Sequence, residues 1–121
     1  MFLATSNPTR QLLLLSYIQR VLAEELRRGQ EDIRRLLAGL TPGFRLLADF
    51  SRLESMDLDC MTEIGRAMDL IDQSGVATVV RVIPDPRKDI GMNILAIFHY
   101  THRPQIVTYQ TMTEAARALE L

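Results

Sequence analysis

The sequence has only one cysteine, Cys60, and no tryptophan. A single cysteine cannot form a disulfide within the chain, so a disulfide-stapled secreted scaffold is excluded and a reducing, cytoplasmic compartment is expected. Lysine is nearly absent as well, because Lys88 is the only lysine among 14 basic residues. The net charge is −1 and the basic residues form no stripe along the chain. We therefore expect no nucleic-acid partner.

Long apolar runs are also absent. The longest run near the start consists of the four leucines at residues 12–15, whereas a membrane-spanning helix needs about 20 apolar residues. Residues 1–10 lack the basic region, apolar core and cleavage site of a signal peptide, so no membrane partner is expected. With 47% apolar and 24% charged residues among 121, the composition predicts a single globular domain over residues 1–121, with a loose N-terminus at residues 1–9.

Apolar periodicity predicts four strands and four helices. The helical pattern is clearest at residues 21–40, where apolar side chains recur every three or four positions and charges fill the other face. The strand pattern is clearest at residues 76–83, a nearly continuous β-branched run that is typical of a parallel strand covered on both faces. The other strands are predicted at residues 11–18, 44–50 and 105–110, and the other helices from Asp57 or Asp59 to about Gln73, at 92–101 and at 114–119.

Strands that alternate with helices predict an α/β fold with a four-stranded, mainly parallel sheet and about four helices. Ligands of such sheets bind beyond the carboxyl ends of the strands. Three local expectations accompany this topology. Residues 51–56 form a loop, Thr113 caps the last helix, and the third helix points its apolar side chains inward, namely Ile94, Leu95, Ile97 and Phe98.

Motifs for nucleotide binding are missing, because neither the dinucleotide fingerprint nor the P-loop pattern occurs. No Gly-x-Ser-x-Gly elbow is present either. His99 and His102 stand three residues apart and share a helix face, but further ligands for a catalytic zinc ion are lacking. We interpret them as a partly solvated pair at a helix end, and we expect no cofactor and no metal.

Cys60 and the neighbouring carboxylates are the remaining candidates for chemistry. The first turn of a helix lowers the pKa of a thiol, whereas Asp57 and Asp59 beside Cys60 raise it, so a buried structural cysteine is the preferred interpretation. Asp49 ends a strand and is expected to cluster with these two carboxylates. Such a cluster suits metal binding or acid–base work, but capping and loop stabilisation are the more common roles.

Residues 45–57 resemble the strand and loop of STAS domains, the anti-sigma factor antagonist type that also occurs on sulfate transporters. The family pattern is an apolar strand ending in Asp, then a small residue, an apolar residue and an Asp that opens a helix. Here these are Asp49, Ser51, Leu53 and Asp57. Residues 61–75, 77–84 and 113–119 resemble the helix, strand and closing helix that follow, so the resemblance implies a STAS-like, or SpoIIAA-like, fold.

One departure bears on regulation. In signalling members of the family, the helix-opening Asp is followed by a serine that becomes phosphorylated, whereas Leu58 stands at this position and has no hydroxyl group. Switching by serine phosphorylation is therefore not expected here, and Asp59 supplies a permanent charge one residue further on.

The resemblance implies a non-enzymatic regulatory module that binds a partner protein, either an anti-sigma or kinase-like protein, another regulator, or a second copy of the chain. The implied surface is the second helix and the loop before it. An exposed leucine and methionine among acidic residues would seat an apolar anchor with a charged rim. The same residues are equally compatible with a helix cap and the core. The candidate partner-binding residues are Asp49, Glu54, Ser55, Asp57, Leu58, Asp59, Met61 and Thr62.

Two other functions remain open from the sequence. The first is a carrier of a small apolar ligand, with a pocket lined by adaptable methionines and aromatic side chains; its residues are Met56, Met61, Met68, Met92, Phe98 and Tyr100. The second is an enzyme that uses Asp49 with Asp57, or the thiolate of Cys60. A cavity in the structure or a ligand retained through purification would favour the carrier, and rapid modification of Cys60 by a thiol reagent at neutral pH would favour the enzyme.

Overall fold

Five strands form one sheet in the computed structural model, which describes residues 1–121. The strands are β1 (Phe2–Asn7), β2 (Leu12–Val21), β3 (Arg45–Met56), β4 (Thr78–Val82) and β5 (Gln105–Tyr109). The helices are α1 (Ala23–Leu37), α2 (Cys60–Gln73), α3 (Asp89–His99) and α4 (Met112–Ala118), with short 3-10 turns at Pro8–Arg10 and Pro86–Lys88.

The strands lie side by side in chain order, β1-β2-β3-β4-β5. Strand β1 is antiparallel to β2, and the remaining pairs are parallel and are connected through α1, α2 and α3. These three helices pack with one face of the sheet, and α4 covers the other face. The predicted α/β domain is thus confirmed, but the sheet has five strands rather than four and is mixed. None of the helices has the length and apolar character needed to cross a membrane.

The additional strand comes from the N-terminus, so the prediction of a loose segment at residues 1–9 is wrong. Strand β1 pairs with β2 from Phe2 opposite Tyr17 to Asn7 opposite Leu12. Its burial alternates along the strand, as expected for a strand with one face on the core. The polar Ser-Asn-Pro run that suggested disorder ends the strand, and the Asn7 side chain accepts a hydrogen bond from the Arg10 amide.

The expected loop at residues 51–56 is strand as well. Strand β3 continues to Met56, because the ten-residue β2 offers backbone partners as far as Val21, with two register shifts on the way. The result is a long arm of β3 that extends beyond its pairing with β4, which ends at Asp49.

Helix α3 begins three residues earlier than predicted and is rotated differently about its axis. Met92 and Ala96 are buried, whereas Ile94, Ile97 and Phe98 face solvent, so the expectation that these three point inward is wrong. The physical reason is Arg81 of β4. Its buried guanidinium lies under the helix and donates hydrogen bonds to the side chains of Asp89 and Asn93. These contacts fix which face of the helix meets the sheet.

The helix caps differ from the predicted ones in detail. Thr111, and not Thr113, caps α4 by accepting a hydrogen bond from the Glu114 amide. Asp59 stands at the N-cap position of α2, but its side chain makes no capping hydrogen bond. The turn into α2 is instead held by the backbone, through the Cys60 amide and the Asp57 carbonyl oxygen.

Candidate functional site

An open groove of about 500 Å³ lies at the carboxyl ends of β3 and β4, where the topology predicts a ligand or partner to bind. One wall is the arm of β3 with the start of α2, and the other is the β4–α3 connection with the start of α3. Apolar side chains make up part of the lining, and charged side chains stand along it. The lining includes Phe50, Leu53, Glu54, Ser55, Met56, Met61, Ile83, Asp85, Arg87, Lys88 and Met92.

Next to the groove, the turn into α2 presents one apolar side chain to solvent. Leu58 is 89% exposed, the highest value among the large apolar side chains of the protein. It stands between Asp57 and Asp59, which are both exposed. Arg20 lies 4.0 Å from the Asp57 carboxylate, as an exposed ion pair of the kind that contributes little to stability.

Seven of the eight candidate partner-binding residues belong to one stretch of chain, from the arm of β3 to the first turns of α2. Of these, Glu54, Ser55 and Met61 line the groove. Thr62 is exposed at the start of the helix. We call this set the Leu58 surface; it consists of Glu54, Ser55, Asp57, Leu58, Asp59, Met61 and Thr62.

The structure does not bring Asp49 to this surface. Leu46, Ala48 and Phe50 of β3 belong to the core under α1, α2 and α3, so Asp49 between them points to the opposite face of the sheet. Its carboxylate accepts a hydrogen bond from the Ser51 amide, as a local turn-like contact. Seven strand steps of about 3.3 Å separate Asp49 from Met56, so Asp49 and Asp57 do not form a carboxylate pair.

Cys60 is fully buried, with 0% exposure. Burial raises the pKa of its thiol; a hydrogen bond from the backbone near Asp57 opposes this, and the charges of Asp57 and Asp59 add to the rise. The thiol lies 3.5 Å from the Val21 carbonyl oxygen, to which it donates a weak hydrogen bond. These features fit the structural interpretation of Cys60 and argue against a thiolate nucleophile.

The two histidines hold the end of α3 to α2. The Nδ1 atom of His99 lies 2.7 Å from Asp69, and that of His102 lies 2.9 Å from Asp72. No local pattern indicates these partners, because each aspartate lies 30 residues from its histidine in the chain. No group of three or more His, Cys, Asp or Glu side chains is placed to hold a metal ion.

The far wall of the groove contains charged residues that are not among the candidate partner-binding residues of the sequence analysis. The guanidinium of Arg87 donates two hydrogen bonds to the Asp85 carboxylate and the Arg87 amide donates a third, each 3.1 Å long, and these bonds lower the pKa of Asp85. The ammonium group of Lys88 forms no ion pair. The signal that would have located this wall is the Pro-Asp-Pro sequence that ends the valine-rich strand.

The six residues considered for an apolar-ligand pocket do not enclose one. Met56, Met61 and Met92 line the open groove, whereas Met68 and Tyr100 surround a void of only about 20 Å³ in the core. Phe98 faces solvent. Pockets for small apolar ligands usually enclose about 300–1,000 Å³, so the packed core does not favour the carrier function.

Comparison with known proteins shows the fold. No model of a known protein family matches the sequence, and no curated protein is significantly similar to it. Among solved structures, the chain is similar to the Bacillus cell fate determinant SpoIIAA in its phosphorylated form, with a TM-score of 0.65 and 16% identity over 98% of this chain and 99% of that one.

Two further structures agree. An anti-sigma factor antagonist from Mycobacterium paratuberculosis has a TM-score of 0.59 and 17% identity, covering 100% of this chain and 94% of that chain. An uncharacterised protein with a SpoIIAA-like fold from Shewanella loihica has a TM-score of 0.70 and 14% identity, covering 98% and 92%. The STAS-like fold expected from the resemblance is therefore confirmed.

Proposed function

We propose that the chain is a non-enzymatic regulatory module that binds a partner protein through the Leu58 surface. The observation that carries this proposal is the position of Leu58, which is 89% exposed between two carboxylates and beside an open groove. An exposed leucine side chain does not stabilise the fold, because only apolar area that is removed from water contributes favourable free energy. Contact with a partner supplies that gain.

The chemistry of the surface indicates what the partner presents. Glu54, Asp57 and Asp59 make the rim acidic, and Met56 and Met61 make the adjoining groove apolar and adaptable. A complementary partner places an apolar side chain in the groove and basic side chains around it. Solved proteins of similar fold include anti-sigma factor antagonists, and an anti-sigma or kinase-like regulator in the cytoplasm is the partner class we propose.

Regulation by phosphorylation of a serine at the start of α2 does not belong to this proposal, because Leu58 has no hydroxyl group. The negative charge at this position is instead permanent and comes from Asp57 and Asp59. Binding then depends on the amounts of the two proteins rather than on a covalent switch at residue 58.

The proposal is tested by native mass spectrometry on protein isolated gently from lysate of its own host. We expect a stoichiometric second protein that is lost when Leu58→Ala and Asp59→Ala are combined. The matched control is Arg35→Ala with Gln73→Ala, two exposed positions away from the surface, which retains the second protein. A small co-purifying mass without any protein partner contradicts the proposal and favours a ligand carrier.

A further inference from the structure

Helix α3 carries an apolar stripe on its solvent side. Ile90, Ile94, Ile97 and Phe98 are 63%, 52%, 76% and 72% exposed. At 100° per residue these four positions fall within one arc of about 100°, so they form a continuous face. We call this face the α3 stripe.

Helix α1 shows what a solvated face looks like in the same protein. The outer side of α1 is covered by charges, with ion pairs between Arg27 and Glu24, Arg34 and Glu31, and Arg35 and Asp32. The α3 stripe contains no charged side chain at all. Contiguous exposed apolar patches on proteins are often functional, and the larger ones mark interaction sites.

The orientation of the stripe is fixed by buried contacts and does not arise from a loosely attached helix. Arg81 is 2% exposed, and its guanidinium donates hydrogen bonds of 3.1 and 2.7 Å to Asp89 and Asn93 of α3. Thr108 of β5 donates a further hydrogen bond to Asp89. Turning the stripe inward would leave the buried guanidinium without these partners, at a high cost in free energy.

We propose that the α3 stripe is the interface with a second copy of this chain, in which two α3 helices pack antiparallel about a two-fold axis at Ile94. Ile90 and Phe98 stand four residues on either side of Ile94, so in an antiparallel pair Ile94 meets its own copy and Ile90 packs beside Phe98 of the other chain. This is the self-complementarity that a two-fold interface requires.

Charge favours a second copy for this face over a different partner. Residues at a two-fold axis meet themselves, so a charged residue there repels its copy, and the stripe has none. The Leu58 surface is less suited to a two-fold pair, because Glu54, Asp57 and Asp59 of one copy would lie near the same acidic side chains of the other and repel them. The antiparallel arrangement also places the positive end of one helix dipole beside the negative end of the other.

The area beside the stripe allows an interface larger than one helix. An open depression between α3 and β5 adjoins Ile97. It is lined by apolar side chains that include Pro104 and Ile106, and by polar ones that include Arg103. Stable specific interfaces bury about 800 Å² on each partner, so the dimer extends beyond the stripe onto this depression, whose polar side chains belong to the rim. We expect a dimer whose population depends on concentration.

The first test is sedimentation equilibrium of the purified full chain and its variants. The protein is expected to have twice its 13.8 kDa chain mass at high concentration. Ile94→Glu and Ile94→Lys are each expected to be monomeric, because like charges then meet at the axis. Their equimolar mixture is expected to form a heterodimer, which a misfolded variant would not do. Leu58→Glu is the control and remains dimeric.

The second test locates the axis by cysteine cross-linking, which is clean because the native Cys60 is fully buried. Ile94→Cys is expected to form a disulfide with its own copy on mild oxidation. Ile90→Cys is expected not to do so alone, but to cross-link when it is mixed with Phe98→Cys. Cross-linking of Ile90→Cys to itself would indicate a parallel pair and overturn the proposal.

Two results overturn the proposal outright. One is a protein that stays monomeric up to its solubility limit. If that monomer sediments with vesicles of phosphatidylcholine and phosphatidylglycerol, the stripe binds lipid and not a second copy. The other is a dimer that Ile94→Glu leaves intact. The dimer and the Leu58 surface involve different residues, so either proposal can fail without the other.

Discussion

The ring of Phe2 fills the space that a Cβ atom of Gly29 would occupy, since Cε2 lies 2.6 Å from that position. Strand β1 therefore approaches the backbone of α1 more closely than any other residue at position 29 permits. Phe2 also packs against Tyr17, with 5.1 Å between the ring centroids. The glycine that looks like a weak point of the helix in the sequence is the site where the first strand docks.

Gly29→Ala is expected to destabilise the protein by about 1 kcal/mol, because overpacking of about 1–3 kcal/mol outweighs a helix-propensity gain of about 1 kcal/mol. Urea unfolding followed by circular dichroism measures this change. In a Phe2→Ala background, the same substitution is expected to stabilise the protein, because the clash is gone. Gly91→Ala, where no atom lies within 4 Å of the added Cβ, is the control and should not destabilise. A stabilising Gly29→Ala in the wild-type background would contradict this packing.

Local patterns in the sequence were sufficient for the elements whose periodicity is strong. The valine-rich run around β4 and the Ile and Met stripe of α2 predicted both elements within a few residues. Strand β1 was not predicted, because its six residues carry no strong local strand pattern and form a strand through their pairing with β2. The outward face of α3 was not predicted because that helix is apolar on nearly all sides, and only the distant Arg81 decides its rotation.

The candidate site was predictable in part for a similar reason. Contiguous residues from Glu54 to Thr62 stay together in any fold, so most of the set forms one surface. The predicted clustering of Asp49 with Asp57 and Asp59 is wrong for two reasons. Side chains alternate along β3, so Asp49 lies on the face opposite Ala48 and Phe50, and the strand continues to Met56, which separates Asp49 from Asp57. The partner of His102, Asp72, lies 30 residues away, and no local pattern connects them.

Asp72 is expected to make the free energy of unfolding decrease at acidic pH. Burial by itself raises its pKa, but hydrogen bonds from Thr101 and His102 outweigh this and lower the pKa from its ordinary value of 3.8. A folded-state pKa below the unfolded one stabilises the protein fully above about pH 4 and loses that stabilisation as the pH falls further.

Asp72→Asn is accordingly expected to lower the free energy of unfolding at pH 7 by about 2 kcal/mol, the usual range for hydrogen bonds to a charged group. The difference from wild type should narrow as the pH falls below 3.8. Urea titrations from pH 3 to pH 7 measure it, with the exposed Asp59→Asn as the control. A difference that stays constant over this range would show that the carboxylate charge is not what stabilises the contact.

Cys60 is expected to be inert towards thiol reagents in the folded protein, because it is fully buried and its thiol pKa is raised. Ellman's reagent at pH 8 should react with it only after denaturant is added, at a rate limited by unfolding. Fast modification of the native protein at neutral pH would revive a thiolate function and count against a non-enzymatic role.

The most direct measurement of the central claim is calorimetric titration of the purified protein partner into wild type, Leu58→Glu and Ile94→Glu. Truncating or charging a central apolar anchor costs about 2 kcal/mol or more, so Leu58→Glu should weaken binding at least about 30-fold. Ile94→Glu lies on the α3 stripe and should bind with wild-type affinity per chain. Equal affinities for wild type and Leu58→Glu would contradict the account and move the partner site away from the start of α2.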